Sequence, residues 1–360
     1  MLYGNGTTRL ETYSRSVGDS ETDTWKFLRT KAKNCNTSVF EAGYYFLVDK
    51  FGASAVDSTL TTNPNAGYLA VLASPDNQVV SDAHLYVKNS SDTMYIPKSL
   101  IELCKTVELT QEVLITDTTI TVKDASNITT STFLKIDNEL MYITSILGKV
   151  LTVNRAILDT VPEHHAIDSK GLVFSKQNVL NNLYSNTNNI DVKVVTNTEG
   201  SLLSLSNASV SNVGFDSRAI RPYPPANVKI NDEYWLSEVA GNLELTWNHR
   251  NRLQQTGGVP LGWYEPSVTL EPNVEYVLEL YDANDVLIST TNLGAVDTTI
   301  VDYSNVTTAA CKIRLYTVRD GYESIQSFEH EIMISFNPPY NLAGIWNETT
   351  QAVDLTWDFD

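Results

Sequence analysis

The chain has 360 residues and a formal net charge of −18, from 25 Lys and Arg against 43 Asp and Glu. An acidic chain without basic runs repels phosphate backbones and anionic membranes, so we expect neither nucleic-acid binding nor membrane insertion. Cys35, Cys104 and Cys311 are far apart and lack CxxC spacing, which indicates reduced thiols. The first residues carry no positive run before an apolar core, and no stretch approaches the roughly 18 apolar residues of a membrane span. We therefore expect a protein made in a cytoplasm.

Residues 1–108 predict an α+β platform. Helices are expected over residues 23–33, where apolar residues recur at helical spacing, and over residues 97–104, where a proline opens the first turn. Residues 41–49 form a dense apolar run that leaves strand and buried helix open. Two further runs resemble strands, Val79–Val87 and Met94–Ile96.

Residues 109–175 predict a small β-barrel. Short apolar runs alternate here with turn residues, and Asp137-Asn138 and Leu147-Gly148-Lys149 lie where tight hairpin turns belong. The runs are Val113–Ile115, Thr119–Val122, Phe133–Ile136, Glu139–Ile143, Val150–Val153 and Ala166–Phe174.

Residues 176–222 are rich in Asn and Ser but still carry apolar runs fit for strands, at Ile190–Val195 and Gly200–Leu205. We therefore expect this segment to return to the platform, which makes the barrel an insertion. The prolines of Arg221–Pro225 then favour an extended linker at the boundary.

A repeated pattern predicts serial β-sandwich modules. The stretch Tyr223–Trp247 returns as Pro338–Trp357, and each copy ends in Leu-Thr-Trp. We expect one sandwich over residues 223–336 and the first strands of a second, incomplete sandwich over residues 337–360. The tryptophan that closes each copy occupies an inward strand position, so we expect it to anchor a sandwich core. The half-module is expected either to continue in a longer chain or to complete a sheet from another chain.

Residues with reactive or ligating side chains form no recognisable constellation. His164-His165 beside Glu163 is a local concentration of metal-type ligands, but adjacent histidines rarely converge, so a surface turn is expected. Asp282-Ala-Asn-Asp285 is expected to be a hairpin turn rather than a calcium loop. Neither a nucleophile elbow nor a dinucleotide fingerprint occurs. The sequence therefore predicts no enzyme, with no catalytic, cofactor-binding or metal-binding residues.

The most unusual surface candidate follows the first Leu-Thr-Trp pattern. Arg250 and Arg252 stand beside Gln254 and Gln255 in an otherwise acidic chain. Guanidinium groups bind carboxylates through two parallel hydrogen bonds, so this run is a candidate subunit-contact loop. A solvated loop without a partner is the simpler alternative.

Two stretches resemble proteins of tailed-bacteriophage tails. Phe133–Ile143, followed by Leu151–Arg155 and Thr160–Ala166, is similar to a recurring virion module with an "ID-E-hydrophobic" hairpin, an L-T-V-x-R strand and a T-x-x-x-H turn. Asn227–Arg252 looks like the fibronectin-III-like modules of tail-tip and baseplate proteins. Tyr276–Asp282 and Thr317–Ser324 also resemble these modules.

The resemblance implies a structural component of the virion tail, such as a tail-tip or baseplate hub or a fibre-attachment protein, without cofactor or catalysis. Its partners would be other phage tail proteins and further copies of itself, as a trimer or hexamer. Contact with a host-surface carbohydrate or receptor through loops stays open. One alternative is a carbohydrate-active tail depolymerase, which would need paired carboxylates in an aromatic-lined groove. Another is a fibronectin-III-repeat surface adhesin, which the missing signal peptide and unpaired cysteines disfavour.

Overall fold

The fold is mainly β, which confirms the fold class predicted from the sequence. The computed structural model describes residues 2–3, 11–14, 26–28, 31–43, 46, 67–75, 79–185, 189–255, 259–335, 340–347 and 349–358. Within these ranges the named elements are strands and two 3-10 turns. No helix in the described part is long and apolar enough to cross a membrane.

The strands follow one another along the described chain. The first seven are β1 Leu2–Tyr3, β2 Glu11–Ser14, β3 Lys26–Leu28, β4 Asn36–Ala42, β5 Gly67–Ser74, β6 Asp82–Asn89 and β7 Ile96–Leu100. The next six are β8 Lys105–Glu108, β9 Thr119–Thr121, β10 Thr132–Ile136, β11 Glu139–Leu147, β12 Val150–Asn154 and β13 Lys170–Phe174. A 3-10 turn at Lys176–Asn178 precedes β14 Val179–Tyr184, β15 Asn189–Asn197 and β16 Val210–Gly214. The remainder are β17 Ala226–Ile230, β18 Glu238–Ala240, β19 Leu243–Asn248, a 3-10 turn Arg252–Gln255, β20 Glu275–Asp282, β21 Leu287–Gly294, β22 Thr298–Val301, β23 Ala310–Arg319, β24 Tyr322–Glu323, β25 Phe328–Ser335, β26 Tyr340–Asn347 and β27 Ala352–Asp358.

The platform is built from strands on both sides of the barrel in the sequence. One sheet has the order β14-β5-β4 and another has the order β16-β15-β6-β7. The strands that follow the barrel therefore pair with strands that precede it, and the barrel is an insertion. Fully buried residues of the two sheets share one core cluster, which includes Leu69, Leu85 and Val192.

Two segments predicted as helices contain strands instead. Within residues 23–33, β3 pairs with β2, and within residues 97–104, β7 continues to Leu100 and pairs with β6. Both predictions are wrong at these positions, because pairing with a neighbouring strand outweighs weak local helix signals. Of the open run 41–49, Glu41 and Ala42 end β4 and Phe46 has a helical backbone, while most of the rest lies outside the described residues.

The small barrel closes on itself. Its strand order is β8-β13-β10-β11-β12-β9. The chain beyond β8 then meets the chain beyond β9, since Thr110 N donates to Thr121 O at 3.0 Å and Lys123 N donates to Glu108 O at 2.8 Å. Closure removes the open edges that a six-stranded sheet would otherwise present. Alternate inward residues fill the interior, among them Val107, Ile120, Leu134, Ile136, Met141, Leu151 and Val153.

Gly171 on β13 permits the close packing of this interior. A Cβ atom there would lie 2.7 Å from Leu134 Cδ1 and 2.8 Å from Ile136 Cγ1. We expect Gly171→Ala to destabilise the barrel by about 1–3 kcal/mol through overpacking, measured by hydrogen exchange of β10. Gly214→Ala is the matched control, because an added Cβ meets nothing within 4 Å there. Equal effects of the two substitutions would contradict the packing explanation.

The sandwich has two sheets. One has the order β17-β19-β22, and the other has the order β18-β25-β23-β20-β21. This is the arrangement of a fibronectin-III-like sandwich, with inward residues of both sheets meeting in one core. A tight hairpin joins β23 to β24, where Asp320 and Gly321 have φ of 51° and 83° as a type I′ turn requires.

The chain divides into two compact units. The first comprises residues 1–153 and 164–220, and the second comprises residues 154–163 and 221–360. Residues 154–163, which the sequence analysis placed inside the barrel segment 109–175, thus belong to the unit that contains the sandwich. Ala156 lies in the sandwich core cluster, and Trp263 N donates to Arg155 O at 2.7 Å.

The second copy of the repeat forms one antiparallel hairpin. β26 pairs with β27, with Gly344 opposite Leu355. The side chain of Trp357, the expected anchor of a second core, lies outside the described part of the chain. Its role as an anchor therefore stays a prediction.

Candidate functional site

A long segment separates β19 from β20 in the sandwich, and its described residues form no strand. Residues 249–274 lie between these two strands, whereas adjacent strands of compact domains are usually joined by a few residues. Long loops that persist in a compact domain commonly carry function. We call residues 249–274 the arginine-anchored loop, for the side chains that hold it.

Polar side chains at the end of β19 and just after it tie the two limbs of this loop together. Asn248 Nδ2 donates to Glu265 O at 2.9 Å, and Asn251 Nδ2 donates to Thr269 O at 3.0 Å. His249 Nδ1 lies 2.8 Å from the hydroxyl oxygen of Tyr276. Main-chain carbonyls that would otherwise lack strand partners are thereby satisfied.

Arg250 is the central anchor of the loop. Its guanidinium is buried, with Nη1 donating to Leu261 O at 2.9 Å and Nη2 donating to Gly262 O. Burial lowers the pKa of Arg250 to about 10, which still leaves the side chain protonated at neutral pH. A buried cation that is held by carbonyl dipoles fixes the far limb at a defined distance from β19.

A second buried cluster lies at the end of the loop. Arg252 Nε donates to Glu271 Oε1 at 2.9 Å, and Arg319 Nη1 also donates to that oxygen. All three residues are buried. Burial, followed by the nearby charge of Arg252, lowers the pKa of Arg319. One carboxylate thus bridges two arginines, from the loop and from β23.

The exposure that sequence reasoning assumed for Arg250 and Arg252 is wrong. Both guanidinium groups point into the second unit, because the loop folds over them and supplies carbonyl and carboxylate acceptors. Gln254 and Gln255 lie in the 3-10 turn, and their side chains are outside the described part. The loop's exposed apolar side chains include Leu253 and Val259. Contact of this loop with another subunit stays a prediction, and the outer surface of the loop would make that contact.

Replacing Arg250 should loosen the loop without unfolding the sandwich. We expect Arg250→Met to cost about 2 kcal/mol, because charge-assisted hydrogen bonds to two carbonyls are lost while the apolar stem stays. Hydrogen exchange over residues 259–271 measures this local opening. Arg314→Met is the control, since that arginine is about a quarter exposed and pairs with Glu279 near the surface, where we expect an ion pair to contribute about 1 kcal/mol. Unchanged exchange in the Arg250 variant would contradict the anchoring role.

A separate buried cluster lies in the barrel, around His165. The β10–β11 hairpin presents Asp137 from its turn, where φ is 49°, and Glu139 from the start of β11. His165 is joined to Val113 by two backbone hydrogen bonds of 2.8 and 3.0 Å. Its ring places Nδ1 2.9 Å from Asp137 Oδ2 and Nε2 3.0 Å from Glu139 Oε2. This group, Asp137, Glu139 and His165, is named the His165 clasp.

The geometry of the His165 clasp limits its chemistry. Each ring nitrogen faces a carboxyl oxygen, so each of the two hydrogen bonds uses one proton, carried either by the ring or by the carboxyl group. A metal ion would have to displace a carboxylate from the ring. The arrangement is suited to holding the hairpin against the segment before β13.

The surface turn expected at the histidine pair is wrong for His165, which is fully buried. It is buried because a β-bridge turns its side chain inward beneath the β10–β11 hairpin. His164 remains half exposed, with Nε2 3.3 Å from Glu112 Oε2. Adjacent residues in an extended chain point to opposite sides, which explains the contrast.

The other residues that the sequence analysis singled out lie in a turn and in the sandwich core. Asp282–Asp285 forms the turn between β20 and β21, with Val286 N and Asn284 N donating to Asp282 Oδ1 at 2.9 and 2.8 Å. Those backbone hydrogen bonds, that from Val286 first, lower the pKa of Asp282. Trp247 is buried in the sandwich core, with its ring 5.2 Å from that of Tyr276.

Comparisons with known proteins identify no family for this chain. No protein-family model matches the chain, and no curated protein matches it. Among solved structures, it is similar to a two-domain fibronectin type III segment from chicken tenascin. That match has 10% identity and a TM-score of 0.21, and it covers 64% of this chain and 99% of the tenascin segment. A likeness at this level carries no argument about function.

Proposed function

We propose that the chain is a structural component of a bacteriophage tail, as a tail-tip or baseplate hub or a fibre-attachment protein. The observation that carries the proposal is the clustering of residues from the virion-like motif. Asp137 and Glu139 of the ID-E hairpin meet His165, next to the motif histidine, in the closed barrel. A fibronectin-III-like sandwich then follows in the chain, as in the modules that this sequence resembles.

The role of the sandwich in this proposal is to present a surface to neighbouring subunits. Buried Arg250 and the pair Arg252 and Glu271 fix the arginine-anchored loop. A loop fixed in this way loses little conformational entropy on contact, which favours its use as a docking surface. Assembly by such contacts needs neither catalysis nor a cofactor.

The partners in this proposal are other tail proteins and further copies of the chain, in a ring of three or six. The protein would be made in the bacterial cytoplasm and would reside in the virion tail. A host-surface carbohydrate or receptor is a further candidate ligand of the exposed loops. Symmetric rings are the usual architecture for repeated contacts between identical subunits.

Electron microscopy of the assembled phage particle at side-chain resolution tests the proposal directly. We expect density for the barrel and sandwich in the distal tail, with three or six copies around its axis. Mass spectrometry of purified particles provides an independent measure of copy number. Absence of the chain from particles, or degradation of polysaccharide by the purified protein, would overturn the structural role.

A further inference from the structure

One end of the small barrel contains a cavity of about 170 Å³. β8 and β10 begin at this end, and β13 ends there. Side chains two residues apart on a strand face the same side, so Lys105 shares the inward face with the core residue Val107. Thr132 likewise shares it with Leu134, and Val173 lies opposite Lys105. The cavity therefore lies in the mouth of the barrel, where small-molecule sites commonly occur, and we call it the barrel-mouth cavity.

The wall of the barrel-mouth cavity combines charges of both signs with apolar groups. It is formed by the segment before β8, by the β9–β10 loop and by the end of β13 with the 3-10 turn that follows. The lining residues include Glu102, Lys105, Ile128, Thr132, Val173 and Ser175. Val173 belongs to the barrel core and Ile128 packs against it, whereas Glu102 and Lys105 are exposed. The cavity thus has an apolar base and a charged rim.

The carboxylate at the rim is held in place by its neighbours. Glu102 O accepts a hydrogen bond from Asn178 Nδ2 at 2.9 Å, and Glu102 Oε2 accepts one from Ser175 Oγ at 2.8 Å. Asn178 is itself buried, and Ser175 caps the 3-10 turn that contains it. No described residue donates to Oε1 of Glu102. One oxygen of a fixed carboxylate is therefore left to accept a hydrogen bond from a ligand.

The ammonium group at the rim carries the opposite charge but does not pair with this carboxylate. Among the residues that the structure describes, no carboxylate oxygen lies within 4.0 Å of Lys105 Nζ. A ligand with one charge of each sign could satisfy both groups through charge-assisted hydrogen bonds, which are stronger than neutral ones. The two rim charges thus match a zwitterion.

The size of the cavity and the loop that closes it favour a compact ligand. Its volume of about 170 Å³ is close to the roughly 150 Å³ that hold benzene, and it is well below the roughly 300–1,000 Å³ of pockets for drug-sized ligands. Thr132 Oγ1 donates to Thr129 O at 2.7 Å, and Ser131 N donates to Ile143 O at 2.8 Å. A loop fixed in this way loses little conformational entropy when a ligand binds.

We propose that the barrel-mouth cavity binds a free α-amino acid with a compact aliphatic side chain. The ammonium group of the ligand meets Glu102, and its carboxylate meets Lys105. Its side chain contacts the apolar base at Ile128 and Val173. A neutral sugar or a single ion would use at most one of the two rim charges as an ionic partner. This binding function goes beyond the virion role and stands independently of it.

Methyl NMR of the full chain, titrated with L-valine, tests the proposal. We expect saturable shifts at Ile128 and Val173, with a Kd on the order of 1 mM for so small a ligand. L-Valinamide lacks the carboxylate and isovalerate lacks the ammonium group, so each should bind at least about tenfold more weakly than L-valine. These analogues test the charge match on the wild-type chain, without any risk of misfolding.

Two substitutions assign each charge of the ligand to its partner. Lys105→Met should weaken L-valine binding at least about tenfold and leave L-valinamide binding unchanged, because the amide has no carboxylate to lose a partner. Glu102→Gln should weaken L-valine binding to a similar extent and leave isovalerate binding unchanged. Lys98→Met is the control, since Lys98 is exposed on β7 and does not line the cavity. It should leave L-valine binding unchanged.

Three results would overturn the proposal. The first is the absence of shifts at Ile128 and Val173 with L-valine, and the second is a response of these methyl groups to D-glucose instead. The third is wild-type affinity for L-valine in both the Lys105 and the Glu102 variants. Thermal unfolding verifies that each variant folds. None of these results bears on the location of the chain in a particle, so the two proposals fail separately.

Discussion

Replacing Glu271 with Gln is expected to destabilise the sandwich by about 3–5 kcal/mol. Glu271 accepts hydrogen bonds from Arg252 and Arg319, and all three side chains are buried. Gln has nearly the same shape but removes the negative charge between the two guanidinium groups. Two like charges are then left close together where water does not screen them well. Hydrogen exchange of β20 and β23 measures the loss within the sandwich.

A surface carboxylate serves as the control for this prediction. Glu329 lies 3.6 Å from Arg314, and its side chain is about half exposed. We expect Glu329→Gln to cost at most about 1 kcal/mol, because solvent screens exposed ion pairs. Similar losses for Glu271→Gln and Glu329→Gln would refute the claim that burial makes the difference.

A triple substitution tests whether the sandwich needs these buried charges for its stability. Combining Arg252→Met, Glu271→Leu and Arg319→Met removes all the buried charges while keeping apolar volume. Buried ionic groups are often replaceable in this way at little cost. We therefore expect the triple variant to regain much of the stability that Glu271→Gln loses. A triple variant as unstable as the single one would show that packing, rather than an uncompensated charge, causes the loss.

The β content and the strand positions were readable from the sequence because alternation of apolar residues is a local signal. Trp247, Leu243 and Leu245 occupy every second position of β19 and are buried together, as their spacing predicts. Turn chemistry was equally local, as at Asp320-Gly321. The helices expected over 23–33 and 97–104 failed because helix spacing over a few residues cannot reveal that a distant strand offers pairing.

The candidate site was less readable because its contacts join residues far apart in the chain. Arg252 and Arg319 meet at Glu271 in a structure in which β23, which carries Arg319, pairs with the distant strand β20. Nothing in the Arg250–Gln255 run distinguishes an anchoring arginine from a projecting one. The available signal was the length of the segment after β19. A long loop in a compact domain has many main-chain carbonyl groups without strand partners, and buried side-chain donors must satisfy them.

The resemblance to a virion module added information that composition did not contain. It grouped Asp137, Glu139 and the histidine pair as parts of one motif. It did not indicate which histidine is buried, and the spacing of the motif points to His164. The β-bridge between Val113 and His165 decides the matter, and this pairing is set by barrel closure rather than by the motif itself.

The adjacent histidines provide a matched pair for testing the His165 clasp. We expect His165→Gln to destabilise the barrel by about 3–5 kcal/mol, because it removes the ring that contacts the fully buried carboxyl group of Glu139. His164→Gln should change stability by at most about 0.5 kcal/mol, since its side chain is half exposed and meets only an exposed carboxylate. Hydrogen exchange of β10 and β11 measures both effects.

A double-mutant cycle with Glu139→Gln shows whether the clasp acts as a pair. If the contact between His165 and Glu139 stabilises the barrel, the sum of the stability losses in the two single variants should exceed the loss in the double variant. Additive losses would contradict that coupling, and they would instead indicate that each side chain contributes through its packing alone. Because the hairpin holding Asp137 and Glu139 also lines the barrel interior, a coupled loss would indicate that the polar cluster holds this hairpin against the segment before β13.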